Sequence, residues 1–136
     1  MNLGYACINL TMGKKITTNR TMIKKTLDIK GLDYVSELSL ANTKDIIKIL
    51  QWNNENQIKF FRLSSAIIPW GDKLDITKLK HYEEIKKELQ KAGEFATKND
   101  IRITTHPGPF VVLTSPKLNV VTNAIADLEM HGRIFD

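Results

Sequence analysis

Residues 102–110 read Arg102-Ile103-Thr104-Thr105-His106-Pro107-Gly108-Pro109-Phe110. An extended, partly apolar segment runs here directly into a turn that Pro107 and Gly108 impose on the backbone. His106 is therefore predicted to stand at the carboxyl end of a strand, where ligands and catalytic groups collect in α/β proteins. A histidine before a turn is more often a hydrogen-bonded structural residue than a metal ligand, so the position alone leaves both interpretations open.

The same order of strand, loop and helix occurs along the whole chain. Short apolar runs predict strands, and apolar residues at helical spacing predict helices. The predicted strands cover residues 3–8, 59–63 and 101–104, and the predicted helices cover about 36–54, 76–98 and a last segment from 120 onward. Residues 9–34 show no sustained period and are predicted to be a long loop. This alternation predicts a parallel α/β sheet with right-handed crossovers.

The sequence gives little support for a nucleotide-binding fold, because neither Gly-x-Gly-x-x-Gly nor a phosphate-binding loop follows the first strand. A flavodoxin-like or partial-barrel topology remains. The length of 136 residues corresponds to one small domain.

Composition bounds the compartment and the partners. No apolar run is long enough for a transmembrane helix, and the first residues lack the features of a signal peptide. Cys7 is the only cysteine, which excludes an intramolecular disulfide and favours a reducing compartment. We therefore expect a cytoplasmic, intracellular protein with no membrane partner, and the oligomeric state stays open. The formal charge of +5 is compatible with a polyanion partner but does not require one.

Four blocks, in family order and at compatible spacing, resemble the UV damage endonucleases. They are Leu3-Gly4-Tyr5-Ala6-Cys7-Ile8-Asn9-Leu10-Thr11, then Thr17-Thr18-Asn19-Arg20-Thr21, then Phe61-Arg62-Leu63-Ser64-Ser65 with Ile68-Pro69, and Thr105-His106-Pro107-Gly108 with Thr114-Ser115-Pro116. Together they cover essentially the whole chain.

The resemblance implies a TIM barrel, of which residues 1–136 would form the amino-terminal part, about three βα units of a single domain. It implies manganese-dependent cleavage, or cleavage with another divalent metal ion, on the 5′ side of ultraviolet photoproducts and other lesions in duplex DNA. The histidine of the His-Pro-Gly block is a metal ligand in that family, and His106 matches it. Tyr5 and Asn9 match residues that contact the damaged strand or its phosphate. Arg20 lies in a block typical of the family and is assigned a DNA-facing role.

The chain departs from the family in its probe residues, at one ligand position and in length. Family members usually carry Gln and then Tyr or Phe after the His-Pro-Gly block, a pair that probes the lesion. Phe110 can still insert as an apolar wedge, whereas Pro109 has neither a side-chain amide nor a backbone N–H. Lys73 stands near the place of a second ligand histidine, and a protonated lysine binds no metal. A TIM barrel typically needs about 250 residues, so we expect a fragment, a truncated frame or a reduced protein.

Two further interpretations stay open. The chain could be a non-catalytic basic α/β module that binds DNA or a protein partner, or it could be unstable alone because three parallel strands leave sheet edges uncovered. His131 lies at helical spacing from Ala124 and Leu128 and is predicted to be a satisfied structural histidine.

Overall fold

The computed structural model describes residues 3–136, which fold as strands alternating with helices. The elements are β1 (Gly4–Ala6), α1 (Lys24–Glu55), β2 (Phe60–Arg62), a 3₁₀ turn (Ile76–Lys78), α2 (Tyr82–Lys98), β3 (Arg102–Thr104) and α3 (Leu118–Phe135). The strands form one parallel sheet in the order β1-β2-β3, with Phe61 opposite both Tyr5 and Ile103. The predicted parallel α/β architecture is confirmed. Within residues 3–136, no helix is long and apolar enough to cross a membrane.

Helix α1 is longer than the sequence predicts. It begins at Lys24 rather than near residue 36, and its backbone leaves helical geometry at Gly31, where φ is 68° and ψ is −164°. Glycine adopts this conformation readily because it has no Cβ. The predicted loop over residues 9–34 was therefore wrong in its second part, because helical turns continue on both sides of the break.

The other two helices differ less from the prediction. The segment predicted as a helix from residue 76 starts with the 3₁₀ turn, and α2 itself begins at Tyr82. Helix α3 begins at Leu118 and extends to Phe135.

The core lies between one face of the sheet and the helices α1 and α2. Phe61 is fully buried at its centre, and its ring lies 5.2 Å from the ring of Tyr5. Helix α2 contributes an apolar stripe in which Ile85, Ala92 and Ala96 are buried, as its helical spacing predicts.

The opposite face of the sheet carries Phe60, because successive residues of a strand point to opposite faces. A Cβ on Gly4 would lie 2.4 Å from Cβ and Cδ1 of Phe60, so the two neighbouring strands require glycine at this position.

Parallel strands bring the loops that follow them to one edge of the sheet. The loop after β1 covers residues 7–23 and is called the β1 loop below. Asn42, fully buried in α1, bonds this loop to the loop after β2. Its Oδ1 accepts from the amide of Arg20 at 3.0 Å, and its Nδ2 donates to the carbonyls of Arg20 at 3.0 Å and Ile67 at 3.1 Å.

Candidate functional site

His106 lies two residues beyond the end of β3, at the loop-bearing edge of the sheet where the sequence predicts it. Its Nδ1 atom is buried and has no hydrogen-bond partner among the described residues. A buried polar atom without a partner costs stability, and such atoms are uncommon unless they serve a function. The ring nitrogen is therefore available to bind a ligand.

A second imidazole, that of His131 on α3, packs against Thr105, the residue before His106. His131 is 5% exposed, which confirms its predicted burial. Its Nδ1 lies 3.1 Å from the hydroxyl oxygen of Thr105, but its Nε2 is buried without a hydrogen-bond partner in residues 3–136. The expectation of a fully satisfied structural histidine was therefore wrong for Nε2.

The surroundings of His131 favour the neutral imidazole. Burial is the largest effect and lowers the pKa of His131 below its ordinary value, and nearby His106 lowers it further. The carboxylates of Asp127 and Asp72 act in the opposite direction and raise the pKa. The net direction is downward, so the ring is neutral at physiological pH, which is the form that binds metal ions. When Nδ1–H donates to Thr105, Nε2 carries the free lone pair.

Asp127 joins the two histidine-bearing segments. Its Oδ2 accepts a hydrogen bond from the amide of Gly108 at 3.3 Å and lies 3.7 Å from Nε2 of His131. The turn that carries His106 is thereby held against α3. The contact between Asp127 and His131 has a signal in the sequence, because the two residues are four positions apart and therefore lie on one helix face.

The described part of the chain holds no complete metal site. No group of three or more His, Cys, Asp or Glu side chains in residues 3–136 is arranged to hold a metal ion. The two orphaned imidazole nitrogens fit two ligand positions of such a site. Lys73, which the sequence places near a family ligand position, instead donates to Asn123 Oδ1 at 2.7 Å and lies 3.3 Å from Asp72 Oδ2.

Tyr5 and Asn9 form a hydrogen-bond network beneath the β1 loop. The Tyr5 hydroxyl donates to Asn53 Oδ1 at 2.7 Å and accepts from Asn9 Nδ2 at 2.8 Å. Asn9 Oδ1 accepts from the amides of Thr11 at 3.0 Å and Met12 at 3.2 Å. Burial raises the pKa of Tyr5, although its bonds to Asn9 and Asn53 lower it, so the phenol keeps its proton. The polar groups of both residues hold the loop, and their contact with DNA stays a prediction.

Arg20 also serves the loop from inside the protein. Its guanidinium lies 2.7 Å from the buried Asp45 carboxylate and donates to the carbonyl of Lys15 at 2.6 Å. Asp45 accepts further bonds from Lys48 at 2.7 Å and from the Thr17 amide at 3.1 Å. Burial alone would raise the pKa of Asp45, but these three partners lower it below its ordinary value. The DNA-facing role of Arg20 stays a prediction, with 27% of its side chain exposed.

Phe110 lies in the loop that follows β3 and is 86% exposed. An aromatic ring that contacts so little of its own protein is sterically free to insert into a partner. The wedge role of Phe110 stays a prediction, and exposed Pro109 stands beside it.

Comparisons with known proteins agree along the full chain. A family model described as UV-endonuclease UvdE matches residues 1–136. The chain is 35% identical over 136 residues to a UV DNA damage endonuclease of Clostridium perfringens, covering 100% of this chain and 32% of that protein. It is 35% identical over 137 residues to a UV-damage endonuclease of Schizosaccharomyces pombe, covering 97% of this chain and 22% of that protein. The chain thus spans about a third or less of the length of these relatives.

The fold has a close counterpart among solved structures. The crystal structure of SacUVDE matches with a TM-score of 0.88 and 31% sequence identity, covering 100% of this chain and 45% of that chain. The partial TIM barrel that the sequence predicts is confirmed.

Proposed function

This chain belongs to the UV damage endonuclease family, and on that premise we propose that it supplies the amino-terminal βα units of an intracellular DNA repair endonuclease. The proposed reaction is hydrolysis of a phosphodiester bond on the 5′ side of an ultraviolet photoproduct or another lesion in duplex DNA. The proposed cofactor is manganese or another divalent ion. The observation that carries the proposal is the pair of buried, unpartnered imidazole nitrogens of His106 and His131 in the described residues.

Imidazole is a ligand that suits manganese and zinc. His106 and His131 would hold the ion from two neighbouring segments, and the remaining ligands would come from residues outside the described units or from the substrate. A bound divalent cation would activate water and neutralise the charge that develops on the phosphate.

The other residues of the site position these two ligands. Thr105 fixes the orientation of the His131 ring through Nδ1, and hydrogen bonds of this kind are a common support for metal-binding histidines. Asp127 holds the Gly108 amide and with it the turn after His106. Phe110, two residues beyond Gly108, would enter the duplex next to the scissile phosphate.

Metal binding is tested first by NMR, because the chain has only three histidines and one is an internal control. His81 lies at the start of α2, and its Nδ1 bonds to Glu84 at 2.9 Å. Addition of Mn²⁺ to the ¹⁵N-histidine-labelled chain should broaden the ring signals of His106 and His131 at concentrations that leave His81 unchanged. Equal broadening of all three rings would contradict the proposed site.

Activity is tested with a duplex that contains one pyrimidine dimer and with the same duplex undamaged, using a protein that contains the whole barrel. We expect incision on the 5′ side of the dimer that requires Mn²⁺ and stops with a chelator. Loss of a residue that hydrogen-bonds to a metal ligand typically costs about 10–100-fold in activity, so loss of the ligand itself in His106→Ala should cost at least about 100-fold. A folded protein that never cuts in Mn²⁺ would overturn the activity.

A non-catalytic binding module is the second candidate. The observation that favours it is that the described residues contain no group of three potential metal ligands. In that case the protein would bind damaged duplex more tightly than undamaged duplex, with a salt-dependent affinity and no cleavage.

A further inference from the structure

We propose that three further residues of the β1 loop contact DNA: Leu10 packs on the sugar–base surface of the duplex, and Lys14 and Lys15 bind its phosphates. This inference rests on the proposed function, because it assumes that duplex DNA lies across the loop-bearing edge of the sheet. The family resemblance implies DNA contacts for Asn9 and Arg20 of this loop, and the inference adds Leu10, Lys14 and Lys15.

The first observation is an exposed apolar side chain in the loop. Leu10 is 86% exposed, the same fraction as Phe110. Because β1 and β3 run parallel, the loops that carry these two residues follow the same edge of the sheet. Single exposed apolar residues are common on protein surfaces, so the exposure alone decides nothing.

The second observation is the way in which Leu10 is held. Asn9 is only 4% exposed, and its Oδ1 bonds the amides of Thr11 and Met12, immediately after Leu10. The Gly13 amide closes the turn by donating to the Leu10 carbonyl at 3.3 Å, and Gly13 has a φ of 76° that favours glycine. A contact residue fixed in this way loses little conformational entropy on binding.

The third observation is charge. Lys14 and Lys15 are both exposed and form no ion pair within residues 3–136. Residues 7–23 contain no Asp or Glu at all, and Arg20, which fixes the Lys15 carbonyl, is already paired with Asp45. The charges of the two ammonium groups are therefore not neutralised by carboxylates within residues 3–136. The backbone that carries them is held in place by Arg20.

The loop after β3 also carries an exposed apolar side chain on the same edge, together with one lysine. Residues 105–117 also lack Asp and Glu and carry Phe110 and Lys117, which are both exposed. An exposed apolar side chain flanked by uncompensated lysines is complementary to duplex DNA, where rows of phosphates border the apolar sugar–base surface.

The experiment measures binding of the 136-residue chain to a labelled duplex with one pyrimidine dimer, by fluorescence anisotropy from about 50 to 200 mM salt. Leu10→Ala should weaken binding about 10-fold, the size of one well-placed apolar contact. Its control is Ile29→Ala, which removes a 73% exposed apolar side chain from α1.

The lysines are tested by the salt dependence. Each phosphate contact contributes about 0.9 to the slope of log affinity against log salt, so Lys14→Ala with Lys15→Ala should reduce the slope by about 2. The control pair is Lys86→Ala with Lys87→Ala, which removes the same charge from exposed positions of α2.

The outcomes separate this inference from the proposed function. If the unaltered chain binds the duplex and the loop variants match their controls, the inference fails while the proposed function stands. If the unaltered chain binds no duplex even at low salt, the inference fails, whereas the proposed function is still decided by incision with the whole barrel. If polyglutamate competes as well as DNA, the loop recognises an acidic protein surface and the DNA assignment is overturned. A loss confined to the loop variants supports the inference.

Discussion

Asp45→Asn tests the buried ion pair that fixes the β1 loop to α1. The amide keeps the size of the side chain and a carbonyl oxygen for the Thr17 amide, but it removes the charge that Arg20 and Lys48 share. Hydrogen bonds to charged groups contribute about 1.5–3 kcal/mol each. The side chains of Arg20 and Lys48 are 27% and 51% exposed, so water compensates part of the loss. We expect the free energy of unfolding at pH 7 to fall by about 2 kcal/mol.

The same variant should change the response to acid. The folded-state pKa of Asp45 is lowered from the ordinary value of 3.8 despite burial, because Lys48, Arg20 and Thr17 bond the carboxylate. The ionised carboxylate therefore stabilises the protein above that ordinary value, and its contribution is lost as pH falls through the lower folded-state pKa. A protonated carboxyl and an amide are both uncharged, so the stability gap between the two proteins should narrow as the solution becomes more acidic.

Urea denaturation followed by tryptophan fluorescence, from neutral pH down to about pH 3, measures both effects. Asp28→Asn is the matched control, because Asp28 is on the same helix and its pair with Lys24 is exposed at both ends, 60% and 71%. That control should lose less than about 0.5 kcal/mol at any pH. A gap for Asp45→Asn that stays constant as the pH falls would refute the electrostatic explanation.

Three further changes probe the packing that positions the site. Phe61→Ala should lower the free energy of unfolding by about 3–5 kcal/mol in urea titrations, because it leaves a cavity at the fully buried centre of the core. A loss below about 1 kcal/mol would show that neighbouring side chains fill this cavity. Gly4→Ala should cost about 1–3 kcal/mol by calorimetry, since its Cβ would meet Phe60 at 2.4 Å, and an unchanged melting temperature would contradict this clash. Tyr5→Phe should cost about 1–2 kcal/mol, because Asn53 loses its hydroxyl partner; Tyr34→Phe is the control.

The sequence predicts the order of the elements because their apolar spacing is a local property. Ile85, Ala92 and Ala96 share one helix face in any fold that buries them, and the structure buries them. The start of α1 was missed because a glycine such as Gly31 is typical of a loop. In the structure Gly31 instead separates two helical segments of α1.

The proximity of the two histidines could not be predicted in the same way. His131 is 25 residues beyond His106 along the chain, and its helical spacing indicates burial without indicating what Nε2 faces. The free nitrogen depends on how α3 packs beside the turn after β3, which is a tertiary property. The internal roles of Tyr5, Asn9 and Arg20 depend likewise on α1, whose Asn53 and Asp45 approach them only in the folded chain.

Asn42 couples the opening of the β1 loop to the opening of the loop after β2. Lifting the β1 loop breaks the bonds between Asn42 and Arg20 and leaves a buried amide whose other bonds are to Ala66 and Ile67 in the next loop. Trp70 makes a second link, because its ring N–H donates to the carbonyl of Met22 at 3.1 Å. In hydrogen exchange, the amides of both loops should therefore gain or lose protection together. A ligand that reduces the motion of one loop would slow hydrogen exchange of the amides in the other loop without any change of fold.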